Sequence, residues 1–367
     1  MSREYDLEWS AHPNIHNNYS SRTVKFKFTE PDAGINPDTG ILLLIPGFGG
    51  SIDSNVYKKM RGTFADQYNL VVVQCKYFGE QFMQNDVLQS LDLHQTFMKQ
   101  SFTTDEIEKC TSSNHFLKSI IDLCKEKHIK ILPMIHNPRE TLSDFCDMGL
   151  MQAIDNMTAL YYVFNILKEN QLSFNTNKII ALGQSHGSYL GLLCNALIPN
   201  VFDMIIDNSA YLSPYYLKTS RVLQTELNGF PLAVFFDYMA PKLDLDHEIL
   251  DLNYVYKQVE NHSGIISFLG DADFMIPVEE KRSFCASLPN CNFHLYTKND
   301  LDGEIFKNNK HGLGADFIKL FEYCYTQFES NTNEAKRKDL YSPNKIKTSR
   351  ASYELYFDDG IPLLQIT

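Results

Sequence analysis

Residues 179–197 read IIALGQSHGSYLGLLCNAL, an apolar run that stops at Gly183 and a helical pattern that starts at His186. Ile179 to Leu182 reads as a buried strand, and Tyr189, Leu190, Leu193 and Leu197 recur at the spacing of one helix face. Ser185 is left on the turn between them. A strand that turns at once into a helix strains the backbone of its turn residue, and glycine at 183 and 187 lets the neighbouring main chain come close. The serine hydroxyl is thereby pushed clear of the sheet, where the free N–H groups of the helix start also point. A turn in which Ser185 merely capped the helix would need neither glycine.

Upstream, Ile41 to Ile45 reads as a strand buried on both faces, as in the centre of a parallel sheet. It runs into Pro46-Gly47-Phe48-Gly49-Gly50-Ser51, a loop whose glycines free the main chain to turn N–H groups toward a ligand. The amide of Phe48 is the candidate for one half of an oxyanion hole and the amide of His186 for the other. The loop fits neither common phosphate-binding pattern. A helix over Val56–Tyr68 and a strand over Leu70–Cys75 complete a βαβ unit.

Thr23–Thr29 alternates as a half-buried strand, and residues 1–20 form a polar lead-in. Residues 80–126 carry polar helical patterns around Phe82–Met98 and Phe116–Lys127, more than a crossover needs. Ile129–Met134 reads as a short strand that Pro133 would place at an edge. The longest helical pattern runs from Thr141 to Asn170, with Ser143 or Asp144 available as N-cap. Further strands are expected over Val201–Ile206, Gly264–Leu269 and Asn292–Tyr296, and helices over Glu279–Leu288 and Leu313–Phe328. This alternation predicts an α/β fold with a mostly parallel, doubly wound sheet.

Residues 210–262 interrupt it, rich in aromatics and broken by Pro214, Pro231 and Pro241. They read either as a cap that walls the site or as an insertion with its own small core. The acidic run Asp244–Glu248 reads as a solvated face rather than a metal site. Residues 331–350 read as a mobile basic segment, and 353–366 as a hairpin turning at Asp359-Gly360. The expected organisation is a lead-in (1–20), a main domain (21–328) with insertions at about 80–140 and 210–262, and a C-terminal extension (329–367).

With a net charge of −12, the chain would repel phosphate backbones and anionic headgroups, so neither nucleic acid nor membrane is an expected partner. Eight cysteines without C-x-x-C pairs read as reduced thiols, not as a disulfide framework or zinc site. The charged N-terminus lacks the apolar core of a signal peptide, and the expected location is cytoplasmic.

A serine hydroxyl needs a base within hydrogen-bond reach and a carboxylate to orient that base. His311 lies in a loop after the last strand, as a base should, whereas His294 lies inside a strand and His186 adjoins the serine along the chain. Asp273 follows a buried strand directly and leads as the acid, with Asp271 and Asp207 as rivals. The order Ser185, Asp273, His311 resembles that of the α/β-hydrolase family. So do the Gly-x-Ser-x-Gly elbow, the glycine-rich loop, the Gly270-x-x-Asp273-x-x-x-Pro277 setting and the late His311-Gly312. Many members carry His-Gly where this chain has Pro46-Gly47, and the likeness is to an uncharacterised bacterial branch. The resemblance implies an α/β-hydrolase fold with cap insertions. It further implies a cofactor-free serine hydrolase acting on a small-molecule or glycan acyl ester. Acyl transfer to a sugar or other alcohol by the same triad, and a non-catalytic binding protein of the same fold, are the alternatives.

Overall fold

The computed structural model describes residues 2–87, 91–113, 115–331 and 339–367. In chain order its strands are β1 (Arg3–Ser10), β2 (Thr23–Glu30), β3 (Gly40–Ile45), β4 (Leu70–Lys76), β5 (Leu91–Leu93), β6 (Leu132–His136), β7 (Ile179–Gln184) and β8 (Met204–Asn208). They continue with β9 (Val222–Leu227), β10 (Phe230–Phe236), β11 (Gly264–Gly270), β12 (Cys291–Tyr296), β13 (Lys345–Lys347), β14 (Ser352–Asp358) and β15 (Ile361–Ile366). The helices are α1 (Asn55–Tyr68), α2 (Gln95–Ser101), α3 (Thr104–Thr111), α4 (Phe116–Glu126), α5 (Leu150–Glu169), α6 (His186–Leu197), α7 (Tyr215–Lys218), α8 (Leu252–Val255), α9 (Val278–Ala286) and α10 (Phe317–Asn331).

Eight strands form the main sheet in the order β1-β2-β4-β3-β7-β8-β11-β12. From β4 to β12 every pairing is parallel, and β1 and β2 join antiparallel at one edge. Along β3, Ile41, Leu43 and Ile45 enter the apolar layer that holds α5 and α6, while Leu42 and Leu44 enter the layer that holds α1 and α10. Burial on both faces is why this strand reads as an unbroken apolar run. The mostly parallel, doubly wound sheet is the expected α/β-hydrolase fold.

Residues 3–10, read from sequence as part of a polar lead-in, are the edge strand β1, held by Tyr5 stacked on Phe28 at 4.5 Å. The helix expected from Thr141 starts only at Leu150, because Met148 has a φ of 64° and interrupts the helical path. Its N-cap is Gly149, not Ser143 or Asp144, and the Asp147 carboxylate accepts from the Gly149 and Met151 amides at 3.2 and 2.7 Å. The Asp144 carboxylate instead accepts from the Gly79 amide and the Gln81 side chain. Likewise α10 starts at Phe317 rather than Leu313, which has a φ of 58°.

The Phe82–Met98 helix is not formed: a single turn at Glu80–Met83, the short β5 and the start of α2 occupy that stretch, and residues 88–90 lie outside the described residues. β6 does not join the main sheet. With β5 it pairs with β10 and β9 in a second sheet ordered β5-β6-β10-β9, so both insertions build one cap sheet. Pro133 is therefore internal to a sheet, not on an edge strand. β5 pairs only with Met134–His136, so the proline sits just beyond that ladder. Of the basic segment 331–350, residues 332–338 lie outside the described residues, while 345–347 form β13. The expected hairpin is β14–β15, turning through Asp359 (φ 47°) and Gly360 (φ 78°). It lies on α5, with Phe357 5.1 Å from the Tyr161 ring.

Candidate active site

Ser185 has φ 54° and ψ −117°, a conformation that costs a non-glycine residue on the order of 1–3 kcal/mol and is held only by its surroundings. Those surroundings are close backbone. A Cβ on Gly183 would lie 2.3 Å from the Gly187 carbonyl carbon, and one on Gly187 2.1 Å from the Ile45 oxygen. The two glycines thus let β7, α6 and the end of β3 converge, and the Ser185 amide donates to Asn208 O at 2.8 Å.

The three residues picked from distant parts of the chain meet here. Ser185 Oγ lies 2.7 Å from His311 Nε2, and His311 Nδ1 lies 2.7 Å from Asp273 Oδ2. A carboxylate only accepts, so Nδ1 carries the proton and Nε2 is the lone pair facing the serine hydroxyl. The Asp273 carboxylate is fully buried, and its other oxygen accepts from the Met275 amide at 2.8 Å. The His311 loop is pinned from β8, where Asn208 Nδ2 donates to Gly312 O and the Gly312 amide donates to Ser209 Oγ.

The rivals for the acid are engaged elsewhere. Asp207 is buried against Lys281 Nζ at 2.5 Å and accepts from Ser267 Oγ and the Ala210 amide. Asp271 accepts from Asn309 Nδ2. His294 lies flat on the Phe268 ring, and burial holds its pKa below the ordinary value. The His186 ring points into the core: its Nε2 donates to Gln152 Oε1 at 2.5 Å, and the Tyr211 hydroxyl meets Nδ1. Burial lowers this imidazole's pKa to about 3, so it is neutral and takes no part as a base.

A Cβ on Gly47 would come within 2.6 Å of Gln184 O and 3.7 Å of the His186 amide nitrogen, which places the glycine-rich loop against the elbow. Among the described residues neither the Phe48 nor the His186 amide has a hydrogen-bond partner, the condition for a pair of donors awaiting an oxyanion. The loop is braced on three sides. The Tyr77 hydroxyl donates to Pro46 O at 2.7 Å, the Gly49 amide donates to Met83 O at 3.0 Å, and Gln84 Nε2 donates both to Gly50 O and to Glu80 Oε1. Sequence reasoning missed these supports. It also missed Gln152, which holds the His186 ring from α5 and sits in a helix stretch buried at every position from 150 to 161.

Burial pushes the Glu80 carboxyl from 4.5 up to about 7. A carboxyl that holds its proton more tightly when folded contributes stability below its unfolded pKa, and that contribution fades as pH rises toward the folded value. Folding should therefore weaken by on the order of 3 kcal/mol between pH 4.5 and pH 7 on account of this group. Glu80→Gln keeps an acceptor for Gln84 and removes the titration. Urea midpoints should rise above the parent's at pH 8 and match it at pH 4.5, and an equal shift at both pH values would rule this origin out.

The wall facing the elbow is aromatic. The Phe48 ring lies 4.8 Å from Tyr216 and 6.1 Å from Tyr238, both from the second insertion, and 5.0 Å from His186. The acidic run is taken up by the C-terminal segment: Asp244 pairs with Arg350 at 2.8 Å, and Asp246 accepts from Thr348 and Tyr353.

Among solved structures the chain is similar to Est1E from Butyrivibrio proteoclasticus with ferulic acid bound, at 15% identity and a TM-score of 0.41, over 84% of this chain and 96% of that one. It is also similar to Thermogutta terrifontis esterase 2 phosphoramylated by tabun, at 11% identity and a TM-score of 0.47, over 90% of this chain and 97% of that one. No curated protein matches the sequence. A family model described as "Protein of unknown function (DUF2920)" matches residues 8–239. That match takes in the elbow, the glycine-rich loop and all four strands of the cap sheet, while Asp273 and His311 lie beyond it. Since it spans more than half of the sequence, the chain belongs to the DUF2920 family.

Proposed function

We propose that this protein is a serine hydrolase that cleaves carboxylic esters through an acyl-enzyme. The observation that carries the reading is the continuous relay from Ser185 through His311 to Asp273, both contacts at 2.7 Å, on a strained turn. Ser185 Oγ attacks the ester carbonyl carbon while its proton passes to His311 Nε2, and Asp273 steadies the imidazolium. The carbonyl oxygen, now an anion, faces the Phe48 and His186 amides, which cost no reorganisation because they are already unpaired. The imidazolium then gives its proton to the departing alkoxide oxygen, and the acyl group stays on Ser185. Water attacks that acyl-enzyme, losing a proton to His311, and the carboxylic acid leaves as Ser185 recovers its own.

A fluorophosphonate probe tests this reading. One equivalent should bind folded protein and map by mass spectrometry to the peptide containing Ser185, with p-nitrophenyl ester hydrolysis lost in step. Folded protein that stays unlabelled, or that carries the label on another residue, would sink the proposal and favour a binding role for the cap.

A further inference from the structure

Arg221 opens the second half of the cap sheet, yet its side chain runs down to the glycine-rich loop. It is 6% exposed. Nη1 donates to Met83 O at 2.9 Å and to the Tyr238 hydroxyl at 3.1 Å, and Nη2 donates to Asn85 Oδ1. Its guanidinium lies over the Phe48 ring at 5.0 Å and the Phe236 ring at 4.4 Å. Among the described residues no carboxylate pairs with it, so every acceptor it has is neutral. Burying a cation without an anion is costly.

Two of those contacts bear on the oxyanion loop. Met83 O, which takes Nη1, is also the acceptor for the Gly49 amide at 3.0 Å. The Asn85 side chain, which takes Nη2, lies 2.6 Å from where a Cβ on Gly49 would sit. Gly49 follows Phe48 directly, and Phe48 itself carries the guanidinium on its ring.

We infer that Arg221 is a positioning residue: it clamps residues 83–85 of the first insertion and the Phe48 ring together, and so sets the Phe48 amide from the cap. This rests on the serine-hydrolase reading for its catalytic consequence but not for the clamp. Planarity matters as much as charge, since one flat group reaches three acceptors while lying on two rings.

The test uses the full chain with p-nitrophenyl acetate. Arg221→Ala should lower kcat about 100-fold, the effect of a displaced donor, with KM changed less than about twofold. Millimolar methylguanidinium should restore part of kcat to that variant, and Arg221→Lys should be as slow as the alanine form. Asn85→Ala, an exposed change, should lower kcat in the same direction and serves if Arg221→Ala fails to fold. In each folded variant, hydrogen exchange at the Gly49 amide should quicken relative to the amides of α6. An unchanged kcat, a fully active lysine variant, or a loss confined to an ester bearing a free carboxylate would overturn the clamp. The last result would make Arg221 a substrate-binding group. If the parent protein cleaves no ester, the hydrolase reading falls alone, and exchange at Gly49 decides the clamp by itself.

Discussion

Ser185→Ala should slow ester turnover by about 10⁴- to 10⁶-fold, the scale on which removal of a triad nucleophile acts. The loss belongs in kcat, because the cap wall and the Phe48 and His186 amides are untouched and substrate can still bind. Little stability should go with it. Among the described residues the hydroxyl has one partner, His311 Nε2, on the rim of the sheet, and alanine at this position keeps the same backbone strain. Thermal unfolding of parent and variant, measured beside single-turnover rates, separates the two effects. A variant that unfolds in parallel with its loss of rate would point to a structural role for the elbow, and one that keeps its rate would remove Ser185 from the chemistry.

The largest expected effect on folding comes from the buried ion pair of Lys281 with Asp207, a rival for the acid in the sequence. Lys281 and Asp207 are 0% and 1% exposed at the side chain, and their charged atoms are 2.5 Å apart. Lys281→Met leaves a carboxylate in the core with neutral donors only, from Ser267 and Ala210. Breaking a buried pair on one side costs about 3–5 kcal/mol, which urea unfolding at neutral pH would register as a lower midpoint at unchanged slope. Adding Asp207→Asn should recover a large share, since the uncompensated charge and not the lost contact dominates the cost. If the double variant is no better than the single one, packing around Lys281 is the cause instead. β8 carries Asp207 and Asn208 and leads directly into Ser209, and the last two hold the His311 loop. Esterase activity per folded molecule should therefore fall in the single variant as well.

What the sequence made legible was local. The apolar runs at 41–45, 70–75, 179–183 and 264–269 became strands because a strand buried on both faces needs no partner pattern to be seen. Ser185, Asp273 and His311 were legible because each follows the end of a strand, and the ends of parallel strands converge. Phe48 stood out only as part of a glycine-rich loop that follows an apolar strand. What stayed hidden depended on residues far away. Met148 and Leu313 take left-handed backbone inside stretches of good helical periodicity, and nothing in their neighbours announces it. Asp144 has the chemistry of an N-cap but is committed to Gly79 and Gln81 across the fold. β1 is polar on most of its length because it is an edge, and an edge strand lacks the burial that makes a strand readable.

The cap sheet carries a consequence for how the molecule is made. β6 leaves the ribosome about a hundred residues before β10, its parallel neighbour, so one side of that strand waits unpaired while the central sheet begins to assemble. A nascent chain halted between them exposes an apolar ribbon to other chains, and synthesis slowed in that interval is where this protein should be most prone to aggregate. The two insertions, though separated along the chain, must therefore meet as one parallel ladder before either is complete.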